Sequence, residues 1–576
     1  MNRNLILVFV VMAVIVIISE QFFFKKPEPA QQSGQKQQQS QQQPQAAPTK
    51  PAAATTTPAP VPPPGSRTKA VEEGKAETGT VVENDLYKIT FSNKGGLVKS
   101  WVLKKYKDDK GNPLELVNDK AAPQYGYPLS LYTNDQNLRD KLNSVLYVTG
   151  AGPKLTVPGK LTFDYSDGDI TVHKEFTFDN SYVIGVHTSV VRNGNYVTAL
   201  PAWPSSFGDM TIPGTYAAQK NDYFNGNDVQ RLSPDKSGKS ISGGRVMQPP
   251  FQWAGVSDQY FAAIFMPDNP QQAAMIQLRN AIQVPKTPKD PNDTAPVQVL
   301  GAAVGPLGAP VNERMFVGPK ALDVLGTVHP TTPGQHWDLR PVVDFGRFSF
   351  IARPLFLWLH WTYDHWIPNW GWAIIFLTVV INAALLPLRI MAMRSALKMQ
   401  KIAPQVQSIN DKYKKYSLKD PRRQEAQKEI SALYKEHDVN PAGGCLPLLV
   451  QMPFLFAFWT MLSAAIELRG AHWLWLTDLS QPDHLYLIPI TIVISTLIMQ
   501  RMTPQAGMNP EQARMMNLMM PLMLGFMSWS VASGLGLYWL TGTIVGVIQQ
   551  WAMNRTALGK EIRAIQEKRA AKHAKK

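Results

Sequence analysis

The residues of this chain best able to act chemically are uncharged and set inside apolar runs. Thr378 and Asn382, Gln451 and Thr460, Thr491 and Ser495, Asn517 and Ser528, and Thr541 and Thr543 each interrupt a hydrophobic stretch of roughly membrane-spanning length, about 20 residues. Their chemistry is hydrogen-bond exchange. Lipid offers such groups no partner, so they are expected to turn toward other helices or trapped water. Thr378 and Asn382 are four apart and share one helical face. Groups that converge without charge can wet a groove yet hold no single ligand. Met515, Met516, Met519, Met520 and Met523 add deformable apolar wall. For any one of these residues, plain interhelical bonding is the competing reading. Enzyme chemistry finds no footing. There is no Gly-x-x-x-x-Gly-Lys phosphate loop and no His-Glu-x-x-His zinc helix, and Ser463, Ser495 and Ser533 lack a local base. Cys445 is the single cysteine, which excludes a disulfide framework. Asp164, His173, Glu175 and His187 are scattered without catalytic spacing. No cofactor or metal is expected.

The elements that carry these groups follow from composition along the chain. It has 576 residues, 44% hydrophobic, with 58 Lys+Arg against 43 Asp+Glu and a net charge of +15. The basic residues sit beside apolar spans, which favours an anionic membrane surface over DNA as partner. Residues 1–26 pair a basic start with an apolar core and no small-residue cleavage site, and read as an uncleaved signal anchor; a cleaved signal peptide is the alternative. Residues 27–79 are rich in Gln, Pro and Ala and read as a disordered linker. From 80 to 338 the period changes to two, with Asn93-Lys-Gly-Gly and Asp167-Gly168 as turns, predicting a large antiparallel β-sandwich. Residues 350–369 are aromatic and amphipathic, predicting a helix lying in the membrane interface.

Five further spans are predicted at 370–391, 442–467, 485–501, 513–531 and 534–553. The second span is read as one helix running on through Arg389 into a basic hairpin, 392–440. Arg389 to Asn440 holds 12 Lys/Arg against 6 Asp/Glu. Arg389, Arg394, Lys398, Lys401, Arg422 and Arg423 are its candidate contacts with partners. Val406, Ile409 and Tyr413 share one helical face. The tail, 554–576, is again basic. With the basic excess on one side, the positive-inside rule puts both termini in the cytoplasm and the β-domain outside.

One stretch is more specific than these patterns. Asn440-Pro-Ala-Gly-Gly-Cys-Leu-Pro-Leu-Leu-Val-Gln-Met-Pro-Phe454 resembles the signature of the YidC/Oxa family of membrane protein insertases. Trp370-Gly-Trp-Ala-Ile-Ile-Phe-Leu-Thr378, Ser533-Gly-Leu-Gly-Leu-Tyr-Trp539 and Ile548-Gln-Gln550 resemble its other core spans. Ser92-Asn-Lys-Gly-Gly-Leu-Val-Lys-Ser100, Gln259-Tyr-Phe-Ala-Ala-Ile-Phe265 and Val317-Gly-Pro-Lys320 resemble the periplasmic domain of bacterial members. The resemblance implies a polytopic α-helical membrane protein of six spans, five forming the insertase core, with an all-β periplasmic supersandwich domain. It implies residence in the bacterial inner membrane. It implies a hydrophilic groove, open to cytoplasm and lipid, that receives nascent membrane proteins and releases them into the bilayer without nucleotide hydrolysis. Folding assistance, the ribosome, the Sec translocon and anionic lipids come with it as expected activity and partners. Positions matching family substrate contacts are Thr378, Gln451, Met452, Pro453, Tyr538 and Trp539. The family's second-span arginine aligns with Asn382 here. The nearest positive charge on a straight helix, Arg389, would lie about 10 Å further along. A hydrated rather than charged groove is therefore expected, with Asn382 in it, and an arginine at 382 should be tolerated. The alternative reading is a small-molecule or lipid transporter with a periplasmic receptor domain.

Overall fold

The computed structural model describes residues 72–574 apart from 109–110, 235–240, 288–289, 414–415, 417–419, 438, 440–445 and 504–509. The expected signal anchor, most of the linker, and the Asn440–Cys445 opening of the signature lie outside the described residues.

From Gly79 to Pro319 the described residues form 19 strands in three sheets, one of nine strands and two of five. Period-two burial drives them together. Along Ile170–Phe178 the side chains of Ile170, Val172, Lys174, Phe176 and Phe178 turn inward. This strand pairs antiparallel with Gly159–Ser166 around the Asp167-Gly168 turn, where Gly168 takes a positive φ and Asp167 accepts backbone hydrogen bonds from Asp169 and Ile170. Among the described residues the pairing is antiparallel, save one short parallel ladder between Gly79–Glu83 and Lys154–Thr156.

The odd member of the inward face is Lys174. It is fully buried, and its side-chain nitrogen lies 2.8, 3.0 and 3.1 Å from the carbonyl oxygens of Gly95, Gly96 and Leu129, which accept from it. It thereby pins the Asn93-Lys-Gly-Gly turn. Both glycines have positive φ there, and a Cβ on Gly95 would meet the Asn143 carbonyl at 2.5 Å. Burial pushes the Lys174 amine down to about 7. Unfolded, it keeps its proton up to about pH 10.4. Between those values the unfolded chain holds a proton that the folded chain has released, so stability rises with pH, by up to about 1.4 kcal/mol per unit. Lys174→Met is expected to lower stability by about 2–3 kcal/mol, because three buried carbonyls lose their donor. It should also flatten that slope. Thermal unfolding of both proteins across the window checks both effects.

Nine helices of the described residues follow: α1 (Ser349–His365), α2 (Trp370–Ala384), α3 (Leu386–Tyr413), α4 (Arg422–Glu436), α5 (Leu446–Ala464), α6 (Leu487–Met502), α7 (Pro510–Ser528), α8 (Ser533–Arg555) and α9 (Ala557–Ala574). Asn369 caps α2, its side chain accepting from the Trp372 amide at 3.2 Å. On α1, Ala352, Leu355, Phe356 and Leu359 are buried, while Phe350, Leu357, Trp358 and Trp361 face outward. No single helix of the described residues is long and apolar enough to cross a membrane. The pair α2 and α3 passes that test only together, bent by 48°.

That bend corrects the straight second span expected from the sequence. Pro387 stands at the second position of α3. It has no amide to give the preceding turn, and it disfavours helical geometry at its neighbour, so the chain breaks at Leu385 and restarts. The tail is not a free basic segment either. Ile562 of α9 is buried against Met393 and Leu397 of α3, and Lys401 pairs with Glu561 at 2.7 Å. In the hairpin, Tyr413 is buried and its hydroxyl, with the Lys412 ammonium, holds Glu429, each at 2.8 Å.

The β-domain is fastened to the helices. Arg469, in the α5–α6 connection, pairs with Asp209 at 3.2 Å, and both side chains are largely buried. Its guanidinium lies over the rings of Tyr260 and Phe261. Beside it, the Gln259 amide donates to the Ser463 carbonyl at the end of α5, at 2.8 Å.

Candidate functional site

Thr378 and Asn382 sit on the face of α2 that meets α8. Both are buried. The Thr378 hydroxyl donates back to the Ile374 carbonyl at 2.7 Å, and the Asn382 amide donates to the Thr378 carbonyl at 2.9 Å. These two bonds are internal to α2, which leaves the Asn382 Oδ1 directed elsewhere. It accepts from Arg389 Nη2 at 3.3 Å. Arg389 stands just past the bend at Leu385, early in α3, and its side chain reaches back along α2. Arg389, expected among the outward basic residues, thus points into the bundle. Its Nη1 is buried without a hydrogen-bond partner, and no carboxylate lies within ion-pair distance of the guanidinium among the described residues.

The opposite wall is α8. A Cβ on Gly542 would stand 3.9 Å from Asn382 Nδ2 and 4.0 Å from Thr378 Cγ2. One on Gly546 would press on Arg389 Nη1 at 3.0 Å. Gln549, one turn on, donates to the Asn382 carbonyl at 3.1 Å, and its own Oε1 is buried without a partner among the described residues. Gly542, Gly546 and Gln549 were not singled out from the sequence. The signal was present in Gly542-Thr-Ile-Val-Gly546, a small-x-x-x-small spacing that lets two helices approach closely.

Tyr538 and Trp539 lie on the same helix toward its start. Tyr538 is buried and stacks on Phe458 of α5, ring centroids 4.2 Å apart and 11° from parallel. Gln451 is seven residues before Phe458, two turns along the same face of α5. Gln451, Met452 and Pro453 are each half-buried. The structure therefore brings Thr378, Asn382 and Arg389 into one cluster with α8, and ties Tyr538 to α5. It records no direct bond between Gln451 and that cluster. Of the remaining basic candidates, Arg394 and Lys398 are exposed on α3. Lys401 is held by Glu561. Arg422 is engaged by Asp420 at 2.8 Å and lies 3.9 Å over the Tyr416 ring. The side chain of Arg423 lies outside the described residues.

What this arrangement can do is bind an acceptor. A half-buried guanidinium whose one recorded partner among the described residues is a neutral amide is a poor end state, since a charge withdrawn from water is costly unless paired. Two glycines, Gly542 and Gly546, and two amides, Asn382 and Gln549, stand around it, and none of the four carries a charge.

Known proteins agree with the architecture. Residues 80–358 match the family model of the YidC periplasmic domain, and residues 361–561 match that of the 60Kd inner membrane protein. The membrane protein insertase YidC of Geobacter sp. (strain M21) is 33% identical over 495 residues, 82% of this chain and 85% of that protein. Its counterpart in Bordetella avium (strain 197N) is 29% identical over 519 residues, 86% of this chain and 85% of that protein. A crystal structure of an active YidC insertase with its first transmembrane domain resolved is similar at 18% identity and a TM-score of 0.35, covering 84% of this chain and 95% of that one. These relatives are insertases, not the small-molecule or lipid transporters of the alternative reading. With a β-rich domain joined to a helical part, and a third of its residues shared along most of a relative's length, the chain belongs to the YidC family of membrane protein insertases.

Proposed function

We infer that this chain receives the hydrophobic segments of newly made membrane proteins in a polar groove walled by α2, α3 and α8, and releases them into the bilayer. The single observation that carries this reading is Arg389 turned inward onto Asn382 with no carboxylate partner among the described residues. The groove is then charged, not merely hydrated, and its cation enters from a turn beyond the bend. An acidic residue in the short polar end of a substrate is drawn to that guanidinium. The apolar segment behind it meets Met-rich and aromatic walls, which adapt to varied shapes. Tyr538 on Phe458 gives the groove a rigid outer stop.

In this reading the helices form six spans including the one at 1–26, and both termini face the cytoplasm. The β-domain is a supersandwich standing in the periplasm, and α1 lies in the outer interface with Trp358 and Trp361 among headgroups. Gln451, Met452, Pro453 and Trp539 are substrate contacts along the groove. Arg394 and Lys398, exposed on α3, meet ribosomes or anionic lipid, and the Sec translocon is a lateral partner. The test is depletion of the protein in its own cells, followed by measuring insertion of short-tailed membrane proteins. Such substrates are expected to accumulate uninserted, while a soluble secreted protein crosses normally. Normal insertion under full depletion would overturn the reading.

A further inference from the structure

Pro387 brings no amide to the turn before it, so a backbone hydrogen bond that would hold α3 to α2 is missing across the break at Leu385. The direction of α3 then depends on what its side chains rest against. Arg389, Met393, Leu397 and Lys401 follow one another in steps of four and form one ridge of the helix. The start of this ridge meets α8, where a Cβ on Gly546 would stand 3.0 Å from Arg389 Nη1. The rest meets α9. Met393 and Leu397 bury against Ile562 in a hydrophobic cluster apart from the main core, and Lys401 pairs with Glu561 at 2.7 Å. Leu558 and Ile565, four before and three after Ile562, pack beside it on the same face of α9. Among the described residues, no other element adds a buried residue to this cluster.

The support behind α9 is itself fixed. The Gln550 amide donates to Asn554 Oδ1 at 2.9 Å, and the Asn554 amide donates to the Met502 carbonyl at 3.0 Å, which ties the end of α8 to α6. The corner into α9 is tight. The Gly559 amide donates to the Thr556 hydroxyl at 3.3 Å, and a Cβ on Gly559 would run into the Met553 carbonyl and the Asn554 backbone. α9 therefore leaves α8 at a set angle and lies on α3 about one and two turns past Arg389.

We propose that α9 is a positioning arm for the groove. By holding Met393 and Leu397 through Ile562 it sets the rotation of α3, and with it the direction of the Arg389 guanidinium toward Asn382. The proposal rests on the reading of Arg389 as the cation that meets substrate. Ile562 is then a positioning residue, and its effect falls on substrates with acidic ends.

The test is insertion by the full chain of two short-tailed membrane proteins that differ only in an acidic or a neutral tail, with protein level measured alongside. Ile562→Asp puts a charge into the cluster, and Gly559→Val forces the corner. Each should lower insertion of the acidic-tailed substrate by about threefold or more, up to the roughly tenfold worth of the guanidinium's charged hydrogen bond. The neutral-tailed substrate should insert as with the wild type. Ile562→Leu keeps the apolar contact and should insert both normally. Placed on Arg389→Ala, Ile562→Asp should add no further loss, since no guanidinium is left to direct. A helix that merely stabilises the protein would lower both substrates together and add its loss to that of Arg389→Ala. Either result overturns the proposal, as does wild-type tail selectivity in both α9 variants. If Arg389→Ala discriminates between the tails and the α9 variants do not, the arm is refuted and the charged groove stands. If Arg389→Ala does not discriminate, both fall.

Discussion

Arg389→Ala is expected to reduce insertion of substrates with acidic tails by about tenfold, the value of one charge-assisted hydrogen bond in a shielded site. Insertion of neutral-tailed substrates should change little. The decisive companion is the double variant Asn382→Arg/Arg389→Ala, which returns the cation to the second span, and it should recover most of the lost activity. Asn382→Arg alone reverses the expectation drawn from the sequence. With Arg389 Nη2 already 3.3 Å from Asn382 Oδ1, a second guanidinium would face the first in a buried site. That single variant should be worse than either Arg389→Ala or the double variant. Asn382→Leu should also impair insertion, because it removes the neutral partner of Arg389 recorded among the described residues. Insertion and protein level are measured together for all four. Equal loss for acidic and neutral tails, or a double variant no better than Arg389→Ala, would sink the charged-groove reading.

Arg469→Leu should have the largest effect on stability. Arg469 and Asp209 are a largely buried pair, and removing one member of such a pair costs about 3–5 kcal/mol because the other charge is stranded. The site is more demanding than a simple pair. Burial, and then the neighbouring Asp209, pushes the Asp258 carboxyl well above its ordinary range, while the buried Lys320 beside it opposes the shift. Arg469→Leu should open the seam to protease and lower the melting temperature by several degrees, and adding Asp209→Asn should recover part of the loss. Wild-type melting and cleavage in Arg469→Leu would remove the fastening role. The same contact bears on truncation. A deletion of residues 80–320 is tolerated only to the extent that the outer end of α5 survives losing Asp209, Gln259 and the rings of Tyr260 and Phe261.

Much of this protein was written in local pattern. Alternation along Ile170–Phe178 and the Asp167-Gly168 turn announced strands, since a pleated strand buries every second side chain whatever surrounds it. Long uncharged runs announced the helices, and the Asn440–Phe454 signature pointed to the family. Thr378 and Asn382 could be put on one face by spacing alone. Contacts that depend on how separate segments meet were not written there. Lys174 alternates like a core residue, and only the convergence of Gly95, Gly96 and Leu129 turns a buried side-chain nitrogen into a clasp. Arg469 reads as a loop arginine until Asp209, 260 residues away, closes on it. Above all, periodicity assumes a straight helix and therefore set Arg389 about 10 Å beyond Asn382. The break before Pro387 bends the chain by 48°, and the long flexible side chain folds back along α2. Sequence by itself determined which residues lie on which face. The tertiary structure decided where the Arg389 guanidinium points, because that depends on how α2, α3 and α8 pack against one another.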